Sequence, residues 1–138
     1  MNLNTQTFVY EIPGEPDLVW NIDLARELAR DPANLVTTVP ILEKDARDIA
    51  AGNSWEAEHL PNVDPGEPGI GAPLFDKGQV CYILIDGQHR NARALADGRN
   101  FEARLLTDQA SRACLILGDA NPRMPWNLRA APARESAP

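Results

Sequence analysis

The fold is decided by the stretch Gln79-Val80-Cys81-Tyr82-Ile83-Leu84-Ile85-Asp86-Gly87-Gln88-His89-Arg90. Its first seven residues are almost all apolar, which predicts a central strand covered on both faces of a sheet. Gly87 lets the backbone turn sharply. Residues 91–97 then follow a helical pattern that Gly98 ends, and residues 101–106 predict another strand. The stretch therefore indicates a strand–turn–helix–strand unit.

The chain before this unit alternates between strand and helix patterns. Strands are predicted at residues 8–12, 35–39 and 72–75, the last joined to the motif strand by a hairpin loop at 76–78. Helices are predicted at residues 22–29, with Asn21 as N-cap, and at residues 42–50. This alternation predicts an α/β (α+β) fold, with a small mixed sheet and flanking helices.

The chain after the unit is predicted to form one more helix and then a tail. Thr107 and Asp108 begin a helix that continues to Leu117. Residues 119–138 are rich in Pro and Ala, which predicts extended or disordered chain with Trp126 as its candidate anchor. We therefore expect a single domain over residues 1–118 and a C-terminal tail over residues 119–138.

Residues 53–71 form a long acidic stretch without helix or strand periodicity. Loops of this length inside a compact domain are uncommon, and they are often lids or binding loops, otherwise mobile connections. The stretch contains His59, which has no partner at metal-ligand spacing. We predict no metal site in the chain.

The charge of the chain is divided unevenly along its length. Residues 1–76 have a net charge of −10 and residues 77–138 a net charge of +3, which together give −7 for 138 residues. The overall balance disfavours a protein that coats nucleic acid or an anionic membrane. Any anion-binding chemistry is therefore expected in the second half.

The sequence also predicts the compartment. It has no apolar run long enough to span a membrane and no secretory signal at its N-terminus, so we expect a cytoplasmic protein without a membrane partner. Its two cysteines, Cys81 and Cys114, lack the spacing of a redox or zinc pair. We expect both to be reduced thiols.

The residues that follow the motif strand predict a phosphate cradle. The first turn of a helix presents unpaired N–H groups and a partial positive charge, and Gly87 allows close approach to a ligand. Gln88 and His89 lie in this turn, Arg90 can clamp phosphate, and Arg93 lies one turn further on. Asp86 and His89 are the candidate catalytic residues, Asp86 to accept a proton or hold Mg²⁺ through water and His89 to shuttle a proton.

Each of these residues also has a structural interpretation. Asp86-Gly87 is a common turn sequence, and His89 can simply pack or cap the start of the helix. Arg93 and Asp97 are four residues apart and can form a surface ion pair.

The motif resembles the ParB/sulfiredoxin superfamily, whose members share a strand–Gly-x-[His/Arg]-Arg–helix element. Residues 85–90 are most similar to its Asp-Gly-Gln-His-Arg type, found in prokaryotic mobile-element and defence proteins. The resemblance covers residues 79–106 and extends back to Val36. It implies a small α/β fold in which this element binds nucleotide phosphates, in a superfamily that includes ATP- and CTP-binding proteins, kinases and nucleases.

The chain departs from several branches of that superfamily. Sulfiredoxins have a catalytic Cys where this chain has Gln88, which argues against sulfinic-acid reduction. ParB clamps have a further Arg where this chain has Ala92, and they need a downstream helix-turn-helix domain. Free-serine kinases of the superfamily often have a second His at the position of Gln88.

Three functions follow as expectations. The first is a nucleotide- or phosphate-binding module in which Gly87, Gln88, His89, Arg90 and Arg93 bind ATP or another nucleotide with or without Mg²⁺, and in which NTP hydrolysis or phosphoryl transfer is an open question. The second is a non-catalytic regulator whose acidic first half binds a protein partner or mimics nucleic-acid charge. The third, a DNA nuclease, is implied only by the resemblance and is disfavoured by the net charge.

Overall fold

The computed structural model of the chain describes residues 5–52, 67–76 and 78–129. Its seven strands are β1 Thr7–Tyr10, β2 Leu18–Asn21, β3 Leu35–Ile41, β4 Gly69–Asp76, β5 Gln79–Asp86, β6 Phe101–Leu106 and β7 Leu115–Leu117. Its α-helices are α1 Ile22–Leu28, α2 Glu43–Gly52, α3 Gln88–Ala96, α4 Asp108–Cys114 and α5 Pro125–Arg129, with a 3₁₀ turn at Pro32–Asn34. None of the described helices is both long enough and apolar enough to cross a bilayer.

The strands form two sheets rather than the single sheet predicted. One is antiparallel, in the order β1-β2-β7, and the other is mixed, in the order β3-β6-β4-β5. The mixed character comes from β4 and β6, which are parallel and pair Gly69 with Ala103. The predicted α+β class, a mixed sheet with flanking helices, is confirmed.

The motif strand β5 lies at an edge of its sheet, and the prediction of a central strand is wrong. Among the described residues β5 pairs only with β4, and Val80 and Tyr82 remain more than a third exposed. Its apolar run has another cause. Cys81, Ile83 and Ile85 pack with the main core, whereas Leu84 lines a cleft beneath α2. Both faces of β5 therefore have apolar neighbours, while one of its edges has no partner strand among the described residues.

The main core lies between the two sheets and helices α1 and α4. Leu18, Trp20 and Ile22 are almost completely buried there, and burial of each such side chain contributes about 1.5–3 kcal/mol. The indole N–H of Trp20 donates to Oγ of the buried Ser111 at 3.1 Å, so its polar atom is satisfied. This core fixes α1 against the mixed sheet and thereby positions Arg26, a residue of the site described below.

Two predicted helix starts are confirmed by their caps. Oδ1 of Asn21 accepts from the N–H of Leu24 at 3.0 Å at the start of α1. Oγ1 of Thr107 accepts from the N–H of Ala110 at 3.1 Å at the start of α4. Each cap contributes about 1 kcal/mol.

Other boundaries differ from the sequence-based predictions. The strand β2 was not predicted, and Leu115–Leu117 forms β7 rather than the last turn of a helix, because it pairs with β2 through Val19 and Leu117. The strand before the hairpin begins at Gly69 rather than at residue 72. Residues 69–71 of the predicted acidic loop therefore belong to β4, and its residues 53–66, with His59, lie outside the described residues.

The first part of the predicted tail is folded. Met124 and Trp126 are buried in the core, the carbonyl of Arg123 accepts from the N–H of Phe75 at 2.7 Å, and Trp126 Nε1 donates to the carbonyl of Asp119 at 3.0 Å. The prediction of extended or disordered chain is wrong for residues 119–129, because the proline-rich sequence supplies apolar side chains that complete the core. Residues 130–138 lie outside the described residues.

Candidate functional site

The turn between β5 and α3 brings two backbone segments into direct contact. Gly87 is the N-cap of α3 and has φ = +100°, a conformation that favours glycine. A Cβ atom on Gly87 would lie 2.8 Å from Cα of Gly69, and one on Gly69 would lie 2.7 Å from the carbonyl oxygen of Asp86. Both glycines are therefore needed for the start of β4 to pack against the motif turn.

The first turn of α3 is half-buried and follows the buried Gly87. The carbonyl of Gly87 accepts from the N–H of Asn91 at 2.8 Å and so closes the first helical hydrogen bond. Gly87 has no side chain with which to cap the helix, and the earlier N–H groups have no acceptor within the helix itself. These groups and the helix dipole provide the positive potential of the predicted cradle.

Asp86 joins two arginines from different parts of the chain. Arg26 of α1 donates to it twice at 2.9 Å, from Nε to Oδ2 and from Nη2 to Oδ1. Arg90 of α3 donates from Nη2 to Oδ2 at 3.1 Å, and also to the carbonyl of Pro68 at 3.3 Å. We call these three residues the Arg26–Asp86–Arg90 triad. Asp86 is nearly fully buried in it, whereas the Arg26 side chain is 39% exposed.

The triad keeps Asp86 ionised. Burial raises the pKa of this carboxyl group, but the hydrogen bond from Arg26 and the charge of Arg90 outweigh burial, so the pKa lies below its ordinary value of 3.8. The hydrogen bond to Asp86 in turn raises the pKa of Arg26. A carboxylate with a lowered pKa and both oxygens already hydrogen-bonded is a weak proton acceptor. The geometry thus favours a positioning role for Asp86, and its predicted catalytic role stays a prediction.

The remaining motif residues lie along α3. Gln88 folds back on β5 and donates from Nε2 to the carbonyl of Leu84 at 2.7 Å. His89 is half-buried in the first turn. Arg93 donates from Nε to Oδ2 of Asp97 at 2.8 Å, which confirms the predicted ion pair. The predicted roles of His89 and Arg93 toward a ligand stay predictions.

Two residues of the site were not predicted from the sequence. Arg26 lies 60 residues before Asp86 on a helix of the acidic half, and no local pattern connects the two. Asn91 is fully buried and donates from Nδ2 to the carbonyl of Ala46 at 2.9 Å, which ties α3 to α2. Among the described residues, Oδ1 of Asn91 and Nε of Arg90 are buried atoms without a hydrogen-bond partner.

The cysteines do not provide a nucleophile for the site. Burial raises the pKa of Cys114 to about 11 and also raises that of the partly buried Cys81. Both are therefore thiols rather than thiolates at neutral pH, and the thiolate is the reactive form. This agrees with the argument from Gln88 against sulfiredoxin chemistry.

The described site thus combines a helix N-terminus that has no side-chain cap with two guanidinium groups held by one carboxylate. In residues 5–52, 67–76 and 78–129, no group of three or more His, Cys, Asp or Glu side chains is arranged to hold a metal ion. No protein-family model, curated protein or solved structure matches the chain. The resemblance to the ParB/sulfiredoxin superfamily therefore depends on the motif residues themselves.

Proposed function

We propose that the protein is a nucleotide- or phosphate-binding module of ParB/sulfiredoxin type, with phosphate bound at the first turn of α3. The observation that supports this most strongly is the Arg26–Asp86–Arg90 triad beside the Gly87 turn. A helix N-terminus attracts anions, and an arginine already fixed in place binds phosphate with little further loss of side-chain entropy.

The charges of the triad support an anionic ligand. Within the triad, two guanidinium groups and one carboxylate leave one positive charge next to the partial positive charge of the helix, and Asp23 and Glu67 offset part of it at the exposed side of Arg26. Arg26 still has Nη1 outside its contacts with Asp86, and that atom lies 4.0 Å from Oδ1 of Asp23. Arg26 therefore connects the acidic half of the chain to the phosphate site.

Hydrolysis or phosphoryl transfer would use His89 rather than Asp86 as the proton carrier. An imidazole can both accept and donate a proton, whereas Asp86 is held ionised by its two arginines. ATP or another nucleotide would bring Mg²⁺ on its own phosphates. A role in a prokaryotic mobile element or defence system is supported by the similarity of residues 86–90 to the Asp-Gly-Gln-His-Arg type of motif.

We predict that nucleotide or tripolyphosphate will raise the melting temperature of the wild-type chain. A ligand at about 100 times its Kd adds about 2.7 kcal/mol of stability. The measurement is a thermal melt with ATP, CTP, GTP, ADP and tripolyphosphate, each with and without Mg²⁺. Arg90→Ala and Arg93→Gln should reduce the shift relative to their own ligand-free melts.

Arg99→Gln is the matched control for this experiment. Arg93 and Arg99 both pair with Asp97, but only Arg93 belongs to α3, so Arg99→Gln should leave the shift unchanged. A wild-type chain whose melt responds to none of these ligands would refute the proposal. Binding without release of phosphate over hours would remove the catalytic part and leave the binding part intact.

A second candidate function is a regulator that binds a basic protein partner. The observation that favours it is α2, on which Glu43, Asp45 and Asp48 are all exposed, in the half of the chain with a net charge of −10. Such an association must weaken as salt is added, because exposed charges are screened. Affinity for a basic partner that is insensitive to salt would exclude this function.

A further inference from the structure

A cleft of about 450 Å³ lies between α2 and one face of the mixed sheet. Its floor is apolar and includes Tyr82, Leu84 and Leu105. Gly71 keeps the floor open, because a Cβ atom there would lie 2.8 Å from Cδ2 of Leu105. The volume is within the range of small-molecule sites, which are typically apolar with a few polar groups that orient the ligand.

Two carboxylates of α2 supply the polar groups of this cleft. Asp45 and Asp48 line it, both are exposed, and neither makes a hydrogen bond or ion pair within the described parts of the chain. An ionised carboxylate accepts hydrogen bonds and donates none. The cleft is therefore complementary to a flat apolar group that carries hydroxyl or amino donors, and it repels phosphate.

The cleft adjoins the phosphate site. Leu84 lines the cleft, and its carbonyl accepts the hydrogen bond from Gln88, the first residue of α3. Leu84 and Gly87 are three residues apart, which is about 10 Å along an extended strand. The hydrogen bond from Asn91 to the carbonyl of Ala46 fixes α3 against α2. A ligand that spans this distance would place its phosphates at α3 and its uncharged part in the cleft.

We propose that this cleft binds the nucleoside part of the ligand, with the base on the apolar floor. Asp45 and Asp48 accept hydrogen bonds from the ribose hydroxyls or from an exocyclic amino group of the base, as a carboxylate does for ribose in dinucleotide sites. The inference rests on the proposed function and deepens it. It makes the ligand a nucleotide rather than simple phosphate, and it makes α2 the helix that determines specificity.

The test compares nucleotides with tripolyphosphate, which has the charge and no nucleoside. Wild type should bind ATP at least tenfold more tightly than tripolyphosphate. The double variant Asp45→Ala with Asp48→Ala should lose that preference, while its affinity for tripolyphosphate should stay equal or increase, because two negative charges are removed. Glu43→Ala is the control for the charge of α2, since it removes one negative charge from this helix outside the cleft. Tyr82→Ala, a substitution on the edge strand β5, should also weaken the binding of ATP but not the binding of tripolyphosphate.

Two further ligands, dATP and UTP, distinguish a ribose hydroxyl from a base amino group as the donor to the carboxylates. The possible outcomes also distinguish the nucleoside site from the phosphate site. If the wild-type chain binds dATP more weakly than ATP, the carboxylates contact the ribose 2′-hydroxyl. If it binds UTP more weakly than ATP but binds dATP equally well, they contact an amino group of the base. Equal binding of ATP and tripolyphosphate, unchanged by the α2 and Tyr82 variants, overturns the nucleoside site and leaves the phosphate site intact. Tight ATP binding without tripolyphosphate binding overturns the phosphate site instead. Binding of neither ligand overturns both.

Discussion

Replacement of Asp86 by Asn will lower the free energy of unfolding by about 3 kcal/mol, because it leaves the buried guanidinium of Arg90 without its carboxylate partner. The Arg90 side chain is only 16% exposed and Asp86 only 5%. Arg26 is more exposed and can turn toward water, so the expected loss lies at the lower end of the range for a broken buried ion pair. Urea unfolding at pH 7 measures the loss.

Asp97→Asn is the matched control for this variant. Asp97 also accepts from two arginines, Arg93 at 2.8 Å and Arg99 at 3.3 Å, but all three groups are accessible to solvent. Its replacement should therefore cost much less than that of Asp86. Equal losses for the two variants would show that burial of the Arg26–Asp86–Arg90 triad contributes nothing to stability.

The cost of Asp86→Asn should also depend on pH. The pKa of Asp86 is lower in the folded chain than its ordinary value of 3.8. Its contribution to stability is therefore fully present above about pH 5, and it is lost as the pH falls through the folded value. The difference between wild type and Asp86→Asn should shrink between pH 5 and pH 3 on the same urea curves. A constant difference would contradict the ionised state of Asp86.

Local features of the fold could be predicted from the sequence, because their causes lie within a few residues. The caps at Asn21 and Thr107, the hairpin into β5 and the sharp turn at Gly87 each depend on side chains next to the backbone they affect. The turn was recognised from the glycine in the motif, and φ = +100° shows why that residue is needed there.

Pairing between distant segments could not be predicted in this way. Leu115–Leu117 has the composition of a helix end, and it forms β7 because Val19 and Trp20 of β2 lie beside it. The edge position of β5 was missed for a related reason. Apolar side chains indicate that the two faces of a strand are covered. They do not indicate whether another strand pairs with its edge, because strand pairing uses backbone N–H and C=O groups that nearly every residue has.

The candidate site likewise has a local part that could be predicted from the sequence and a distant part that could not. Residues 86–90 are contiguous in the chain, so they could be assigned to one site from the sequence alone. Arg26 comes from the acidic half, from which no contribution to anion binding was expected, and it contacts Asp86 only because the core places α1 beside β5. The contacts of Asp86 depend on this distant residue: its two arginines favour a positioning role for Asp86, and the catalytic role that the sequence indicated stays a prediction.

Gly87→Ala will be among the most damaging single substitutions in the chain, with an expected loss of about 3 kcal/mol. Alanine at φ = +100° costs roughly 1–2 kcal/mol in backbone strain. The new Cβ would also lie 2.8 Å from Cα of Gly69 and 3.2 Å from the ring of Phe101. Gly69 has no side chain that can move away, so β4 itself must shift, and overpacking of this kind costs a further 1–3 kcal/mol or so.

Gly98→Ala separates the two contributions. Gly98 lies just beyond the other end of α3 with φ = +68°, and an added Cβ has no neighbour within 4 Å among the described residues. Its loss should reflect strain alone, about 1 kcal/mol, so the difference between the two variants measures the contact between Gly87 and Gly69. Comparable losses in urea unfolding would show that this contact is looser than the geometry indicates. Because the same contact aligns α3 with the start of β4, Gly87→Ala should weaken tripolyphosphate binding under conditions where it remains folded, and Gly98→Ala should not.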